Sequence, residues 1–301
     1  MPPLLGAIAD DFTGATDLAG ILVKHGMRTA QMIGVPRQPP PEELDAIVVA
    51  LKTRTVAPED ATAASLAALA WLQDAGCRQF IFKYCSTFDS TSRGNIGPVA
   101  EALMEALQTG FTIACPAFPA NGRAVFRGYL FVGDVLLNES GMQNHPLTPM
   151  ADANLVRVLQ SQSTRKIGLI RHETVSQGPA ETERAFADAR RKGTAIAMVD
   201  ALYDTDLVAI GGACRDLPLV TGGSGLGIGL AANFRAQGLL AKDADAGQLP
   251  HIDGLAAVIS GSCSLATQRQ VPNTKFVSRG YSEATSRKRV PSPNIHRLDL
   301  K

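Results

Sequence analysis

Two adjacent carboxylates, Asp10 and Asp11, close a short apolar run in the stretch from Leu4 to Gly14, LLGAIADDFTG. Leu, Ala and Ile running into carboxylates, Thr13 and Gly14 predict a buried strand, and the helical pattern after Thr13 makes it the first strand of a βαβ unit. Asp10 and Asp11 then sit at the strand's carboxyl end, the rim where open α/β sheets bind ligands. Neighbouring carboxylates are costly to desolvate, so they need a partner: a hydroxyl-rich substrate, a metal or a lysine. Capping of the following helix is the alternative role for Asp11 or Thr13.

A second chemical stretch, KYCSTFDSTSRGN, runs from Lys83 to Asn95 and is dense in hydroxyls, with two cations and the carboxylate of Asp89. Lys83, Arg93 and the hydroxyls between them, Ser86 included, have the donors to clamp a carboxylate or phosphate, and arginine supplies a bidentate fork. The same residues also suit an ordinary polar βα loop with Asn95 capping the next helix. His145, between Asn144 and Pro146, reads as a structural or solvent-facing residue more readily than as a substrate contact.

The elements that must position these groups follow from periodicity. Helices are predicted over 13–23, 58–74, 96–107, 154–160, 179–192, 207–214 and 230–240, and strands over 4–9, 28–34, 46–51, 79–84, 111–117, 166–171, 195–201 and 217–221. That alternation predicts an α/β fold: a mainly parallel sheet with helices on both faces, Rossmann-like, followed by the start of a second α/β domain. Residues 124–132 interrupt the rhythm as a β-hairpin with Gly128 at its turn, an insertion of the kind that forms a lid or an oligomer contact. The glycine run Gly222 to Gly229 resembles a phosphate-cradling turn, yet it lacks the Gly-Lys-Ser/Thr of a Walker A loop and the GxGxxG spacing; close helix packing or backbone approach to a ligand is the other use of such glycines. Domains are expected at 1–237 for substrate, 238–253 as linker and 254–271 as the start of a nucleotide-binding domain, where a strand at 255–259 shows no partner strand in the sequence after it. The small residues Ser260, Gly261, Ser262 and Ser264 that follow leave backbone N–H groups free for phosphate oxygens.

Bulk composition narrows the function classes. Hydrophobic residues make up 45% of the 301 and charged residues 19%, an ordinary globular mixture. Five scattered cysteines without a CxxC point to reduced thiols in a cytoplasmic protein and away from a zinc site. No apolar stretch is long enough to span a bilayer, so no membrane partner is expected. Residues 272–301 carry seven Lys and Arg against two Asp and Glu, leaving 22 against 26 in the first 271. That mildly acidic body gives no reason to expect nucleic acid.

Six segments in order, IADDFTGATDLA, KYCSTFDSTSRGNIGPV, CPAFPANGR, LNESGMQNHPLTPM, TGGSG and SGSCSLATQRQV, make the chain resemble the four-carbon acid sugar kinases, most closely the branch described as acting on 3-oxo-tetronate. The resemblance spans about Leu4 to Val271. It implies an N-terminal substrate-binding domain and a C-terminal nucleotide-binding domain, with transfer of the ATP γ-phosphoryl group to the terminal hydroxyl of a four-carbon sugar acid. ATP and Mg²⁺ are the implied cofactors, and the sugar acid is the implied small-molecule partner; a homo-oligomer is compatible. Asp10, Asp11, Lys83, Ser86, Arg93 and Asn95 match the acid-sugar pocket, and Ser260 to Ser264 match the first nucleotide loop. The chemistry agrees: Asp11 as base or hydroxyl-orienting group, Arg93 with Lys83 as carboxylate clamps, and positioning plus Mg²⁺ for phosphoryl transfer.

Family members continue beyond this point with a second glycine-rich ATP motif of the GGETSG type, which this chain lacks. The expectation is therefore a truncated nucleotide domain and a poorly ordered basic tail over 272–301. Two other readings stand beside the kinase: an acid-sugar-binding remnant without catalysis, and, on the glycine run alone, an NAD-dependent oxidoreductase.

Overall fold

A computed structural model describes residues 2–240 and 246–247, and the backbone of two short strands at 256–258 and 296–298. The chain divides into two compact units, Met1–Gly247 and Gln248–Lys301.

The first unit is built on an eight-stranded sheet in which every pairing is parallel. Its strands are β1 (Leu5–Ala9), β2 (Thr29–Ile33), β3 (Ala46–Ala50), β4 (Gln79–Lys83), β5 (Thr112–Cys115), β9 (Ile167–Ile170), β10 (Ile196–Val199) and β11 (Leu219–Gly222), in the spatial order β2-β3-β1-β4-β11-β5-β10-β9. Residues of β1, β3 and β4 are buried along their whole length, because a parallel sheet is covered on both faces. The runs LGAIA, AIVVA and QFIFK are continuous for that reason, and the edge strand β2 is only half-buried.

Helices α1 (Phe12–Lys24), α2 (Pro58–Asp74), α3 (Ile96–Ala106), α4 (Leu155–Gln162), α5 (His172–Val175), α6 (Pro179–Arg191), α7 (Asp204–Ala213) and α8 (Leu226–Ala236) complete the unit. In one row α1 packs on α8, α8 on α7 and α7 on α6; in the other α2 packs on α3 and α3 on α4. The α/β architecture with helices on both faces is the one expected. Pro58 opens α2 at its first turn, and Gly26 and Gly76, both left-handed, follow the ends of α1 and α2. The hairpin is present as β6 (Arg123–Phe126) and β7 (Tyr129–Val132), extended by β8 (Val135–Leu136) into a three-stranded antiparallel sheet. Arg127 and Gly128 both take positive φ at its two-residue turn, and the buried Asp200 accepts the N–H groups of Arg127, Gly128 and His172.

One expectation about the glycines is corrected. The last helix begins at Leu226, four residues before the predicted start, so much of the glycine run lies inside it. A Cβ on Gly222 would meet the Cys115 carbonyl oxygen at 2.1 Å, one on Gly225 the Ala117 oxygen at 2.6 Å, and one on Gly229 the Leu207 oxygen at 1.9 Å. These glycines let β11 and α8 lie directly against the backbone of β5 and α7.

In the second unit, β12 (Ala256–Val258) pairs antiparallel with β13 (His296–Leu298). The strand expected at 255–259 thus has a partner, contributed from the basic segment, which a three-residue pattern in the sequence did not reveal. Ser260, Gly261, Ser262 and Ser264 lie outside the described residues, as does most of 272–301. Among the described residues no helix is long and apolar enough to cross a membrane.

Gly229→Ala forces its methyl into a backbone carbonyl that has no rotamer to yield. A loss of about 3 kcal/mol in urea unfolding, with the m-value unchanged, is the expected outcome.

Candidate functional site

The chain leaves β1 toward one side of the sheet, through α1 to β2, and leaves β4 toward the other, through α3 to β5. The gap between the carboxyl ends of β1 and β4 is therefore the topological switch point, where the following helices part and leave a crevice. Asp10 and Asp11 follow β1 directly into that crevice, and the loop from Lys83 to Asn95 follows β4 into it.

Asp10 is fixed there by its backbone: its N–H donates to the Lys83 carbonyl (3.0 Å), and its own carbonyl accepts from the Thr53 and Arg54 N–H groups (2.9 and 3.1 Å). The loop after β3 is thereby brought across the rim with Arg54 on it. Arg54 Nε and Nη2 hold the two Asp10 oxygens at 2.9 and 2.7 Å, a bidentate fork. Nη2 also donates to Asp11 Oδ1 at 2.6 Å, and Nη1 lies 3.6 Å from Asp89 Oδ2. One guanidinium thus faces three carboxylates. Burial pushes the Asp10 carboxyl above its ordinary value, opposed by the hydrogen bonds and charge of Arg54 and by the charge of Lys83.

Asp10 and Asp11 differ in what they have left to offer. Both Asp10 oxygens are taken by Arg54, and its side chain is 3% exposed. Asp11 spends only Oδ1, on Arg54 and on the Gly14 N–H (2.9 Å) as N-cap of α1; its side chain is 25% exposed, and Oδ2 has no partner among the described residues. Capping and site chemistry, posed as alternatives for Asp11, are both open to the one side chain.

The other residues singled out in the sequence divide into those brought to this network and those placed elsewhere. Lys83 is buried beside it, its Nζ donating to the Tyr84 carbonyl at 2.9 Å and contributing to the field on Asp10. Asn95 sits at the N-cap position of α3 but makes no side-chain cap bond; its amide instead donates to the Thr53, Arg54 and Val56 carbonyls (2.8, 3.4 and 3.2 Å). It therefore splints the loop that carries Arg54. Ser86 is half-buried in the same loop, with no hydrogen-bond partner among the described residues. Arg93 stands apart: it is exposed and lines a cleft of about 550 Å³ whose walls are Ser90 to Arg93 and residues of the 147–161 segment. His145 is engaged with Thr148, whose N–H and hydroxyl lie 3.0 and 2.9 Å from its Nδ1, a local turn contact.

Arg54 is the group that reading from sequence passed over as a partner, having proposed a substrate, a metal or a lysine. It lies in the loop four residues past the end of β3, whose register pairs Ala9 with Ala50, and the backbone bonds of Thr53 and Arg54 to the Asp10 carbonyl bring it to the rim. Cys85 is close to the cluster, but burial and Asp89 push its thiol up to about 11, which keeps it from acting as a nucleophile at neutral pH. Among the described residues no group of three or more His, Cys, Asp or Glu side chains is placed to hold a metal ion, since Arg54 stands among the carboxylates.

Comparison with known proteins adds identity to this geometry. Residues 5–230 match the family model described as a sugar-binding N-terminal domain. Over 269 residues the chain is 63% identical to a 3-oxo-tetronate kinase of Burkholderia multivorans, covering 89% of this chain and 63% of that protein. The chain thus spans less than two thirds of that relative's length. A crystal structure of a Haemophilus influenzae protein matches with a TM-score of 0.81 at 49% identity, covering 89% of this chain and 64% of that one. A Bordetella bronchiseptica protein, solved as a domain-swapped dimer with bound citrate, matches with a TM-score of 0.65 at 28% identity, covering 77% of this chain and 57% of that one.

Arg54→Ala leaves Asp10 buried without its fork, and a loss of about 3–5 kcal/mol is expected in urea unfolding at pH 8. The folded-state value of Asp10 lies above its unfolded one, so protonation relieves the unpaired charge. The loss caused by the substitution is therefore expected to shrink as the pH is lowered toward 5.

Proposed function

Because the chain belongs to the family of proteins built on a sugar-binding N-terminal domain, we propose that it is the acid-sugar-binding part of an ATP-dependent kinase that phosphorylates the terminal hydroxyl of a four-carbon sugar acid, 3-oxo-tetronate giving 3-oxo-tetronate 4-phosphate. The observation that carries this reading is the Asp10, Asp11 and Arg54 network at the switch point of the sheet, in a chain so close to proteins named for that reaction. Carboxylates held in fixed orientation are acceptors for sugar hydroxyls, and Asp11 keeps one oxygen for a hydroxyl proton. In this reading Asp11 orients the attacking hydroxyl or accepts its proton, Asp10 and Asn95 set the geometry around it, Ser86 contacts the substrate, and Lys83 and Arg93 supply the positive charge that a sugar acid requires. The citrate held by the Bordetella bronchiseptica relative favours a hydroxy acid as the ligand class, and its domain-swapped dimer favours a homo-oligomer.

Nucleotide contacts are assigned to Ser260, Gly261, Ser262 and Ser264, within a nucleotide-binding domain that starts at 254–271 beyond a 238–253 linker. ATP brings the phosphoryl group and, with a divalent ion such as Mg²⁺, charge neutralisation for its transfer. No ligand for that ion is assigned among Asp10, Asp11 and Asp89, which share the Arg54 guanidinium. Four free thiols among the described residues, Cys77, Cys85, Cys115 and Cys214, fit a cytoplasmic setting. Sugar-acid binding without turnover is the second reading, supported by the same site. A dinucleotide-dependent oxidoreductase has no such support, since the glycines that suggested it pack against backbone.

Isothermal titration with a four-carbon sugar acid, and separately with Mg-ATP, tests the reading. Sugar-acid binding is the expected result, and its absence would sink the proposal. ATP binding as well would favour the complete kinase over the binding remnant. In any preparation that turns over, Asp11→Asn is expected to lower kcat by about 100-fold with KM for the acid little changed; unaltered turnover would remove Asp11 from the proton's path.

A further inference from the structure

The far edge of the sheet carries a cleft that the proposed function does not use. Strand β9 is the outermost strand there, separated from β4 by β11, β5 and β10, which puts it about 19 Å from β4 at about 4.8 Å per strand. Between β9 and α6 the cleft measures about 310 Å³. Its room comes from small side chains. Ala185 and Ala189, one turn apart on α6, line it, and Gly168 leaves the middle of β9 without a side chain. A Cβ on Gly168 would lie 2.7 and 2.8 Å from Thr194 Cγ2 and Oγ1, so glycine there is what lets the Thr194 side chain lie against the strand.

The polar lining forms two pairs, one at each end. At the carboxyl end of β9 stand Arg171 and Thr174; at its amino end stand Lys192, which follows α6, and Thr194, which precedes β10. The second pair is fixed by its backbone: Lys166 Nζ donates to the Lys192 carbonyl at 2.9 Å, and the Thr194 N–H donates to the Ala189 carbonyl at 3.0 Å. Each pair offers a cation and a hydroxyl, and among the described residues the Arg171 guanidinium, the Lys192 ammonium and the Thr174 and Thr194 hydroxyls make no hydrogen bond or ion pair. Thr194 is only 6% exposed, and a hydroxyl so placed is unfavourable until something accepts from it. The neighbouring acids are engaged elsewhere. Asp188 is ion-paired with Arg191, and Glu173, which feels the Arg171 charge, is held by Arg127 Nη2 at 3.0 Å. Unbalanced charge in the cleft is therefore positive at both ends, with Leu169, Ile170 and the two alanines between.

We propose that this cleft is a second ligand site, which takes a short dianionic organic acid: one carboxylate on Arg171 and Thr174, the other on Lys192 and Thr194, and the apolar part of the chain over Ile170 and the alanines. The four residues of β9 span about 13 Å, a length that two long cationic side chains reaching inward shorten to that of an aliphatic diacid. A ligand charged at one end satisfies one cation and leaves the other bare, whereas two linked carboxylates bind with the advantage of a shared chain. The site shares no residue with the switch point and does not depend on the sugar-acid reading.

Titration calorimetry on the full chain with adipate, with hexanoate and hexanediol as its singly charged and uncharged counterparts, and with inorganic phosphate tests the assignment. Adipate is expected to bind at least about ten-fold more tightly than hexanoate, and hexanediol more weakly still. Arg171→Gln and Lys192→Gln, both at exposed positions, are each expected to weaken adipate about ten-fold with the thermal unfolding midpoint unchanged, and Thr194→Val to weaken it about five-fold. Adipate bound as tightly by Arg171→Gln and Lys192→Gln as by wild type would place it elsewhere and overturn the site. Equal affinities for adipate and hexanoate overturn the two-ended ligand. Wild type that binds no adipate overturns the proposal, and phosphate binding lost in Lys192→Gln, in a protein that ignores adipate, replaces it with a single-oxyanion site.

Discussion

A single guanidinium shared among three carboxylates is the contact on which the rest of the rim depends. Asp10 is buried between the ends of β3 and β4, where an unpaired carboxylate costs several kcal/mol. The same two backbone N–H groups that bond to its carbonyl, those of Thr53 and Arg54, deliver the arginine that neutralises it. Position and charge are therefore one construction. Asn95, reaching from the start of α3 to three carbonyls of the 53–56 segment, keeps that segment from swinging out and taking the cation with it. Arg54 cannot be replaced here by lysine on charge alone, because a point ammonium cannot span both Asp10 oxygens and reach Asp11 at once.

The far half of the sheet obeys a different constraint, the close approach of backbones. Strand β11 comes last in the unit and is inserted between β4 and β5, and the helix after it must turn down over α7 within a few residues. Glycine at 222, 225 and 229 removes the side chains that would otherwise strike carbonyl oxygens. The insertion also stiffens the site from below: the Gly222 carbonyl accepts the Tyr84 N–H, and Thr221 Oγ1 lies 3.1 Å from the Tyr84 hydroxyl. The segment that leads into the Asp89 loop is thus clamped by the last strand of the unit.

Elements whose burial is continuous were legible in sequence to within a residue or two. The strands at 46–50 and 79–83 and the helix at 58–74 are examples, because apolar runs and a Pro and Gly pair at the two ends of a helix express local physics. The start of α8 was not legible. Glycines there look like a loop until the carbonyls of β5 and α7, distant in sequence, are seen to demand them. The site shows the same split. Asp10 and Asp11 announced themselves through their place at a strand end, whereas Arg54 and Asn95 act across more than forty residues, through hydrogen bonds that no spacing rule encodes. Arg93, grouped with Lys83 because they share a loop, faces another cleft because the chain between them turns twice.

That turning has a physical cost and a visible return. Phe88 and Asp89 both adopt positive φ, 67° and 45°, a left-handed pair that costs non-glycine residues about 1–3 kcal/mol each. The first of these places the Phe88 ring edge-on to Tyr84 at 5.5 Å, fully buried. The second turns the Asp89 carboxylate inward, to accept from the Thr87 hydroxyl at 2.6 Å and to stand within ion-pair distance of Arg54. Glycine at either position would relax the backbone but remove the ring or the carboxylate that makes the conformation favourable. The strain is thus tied to chemistry: it adds a third carboxylate to a cluster that the two neighbouring residues after β1 could not complete.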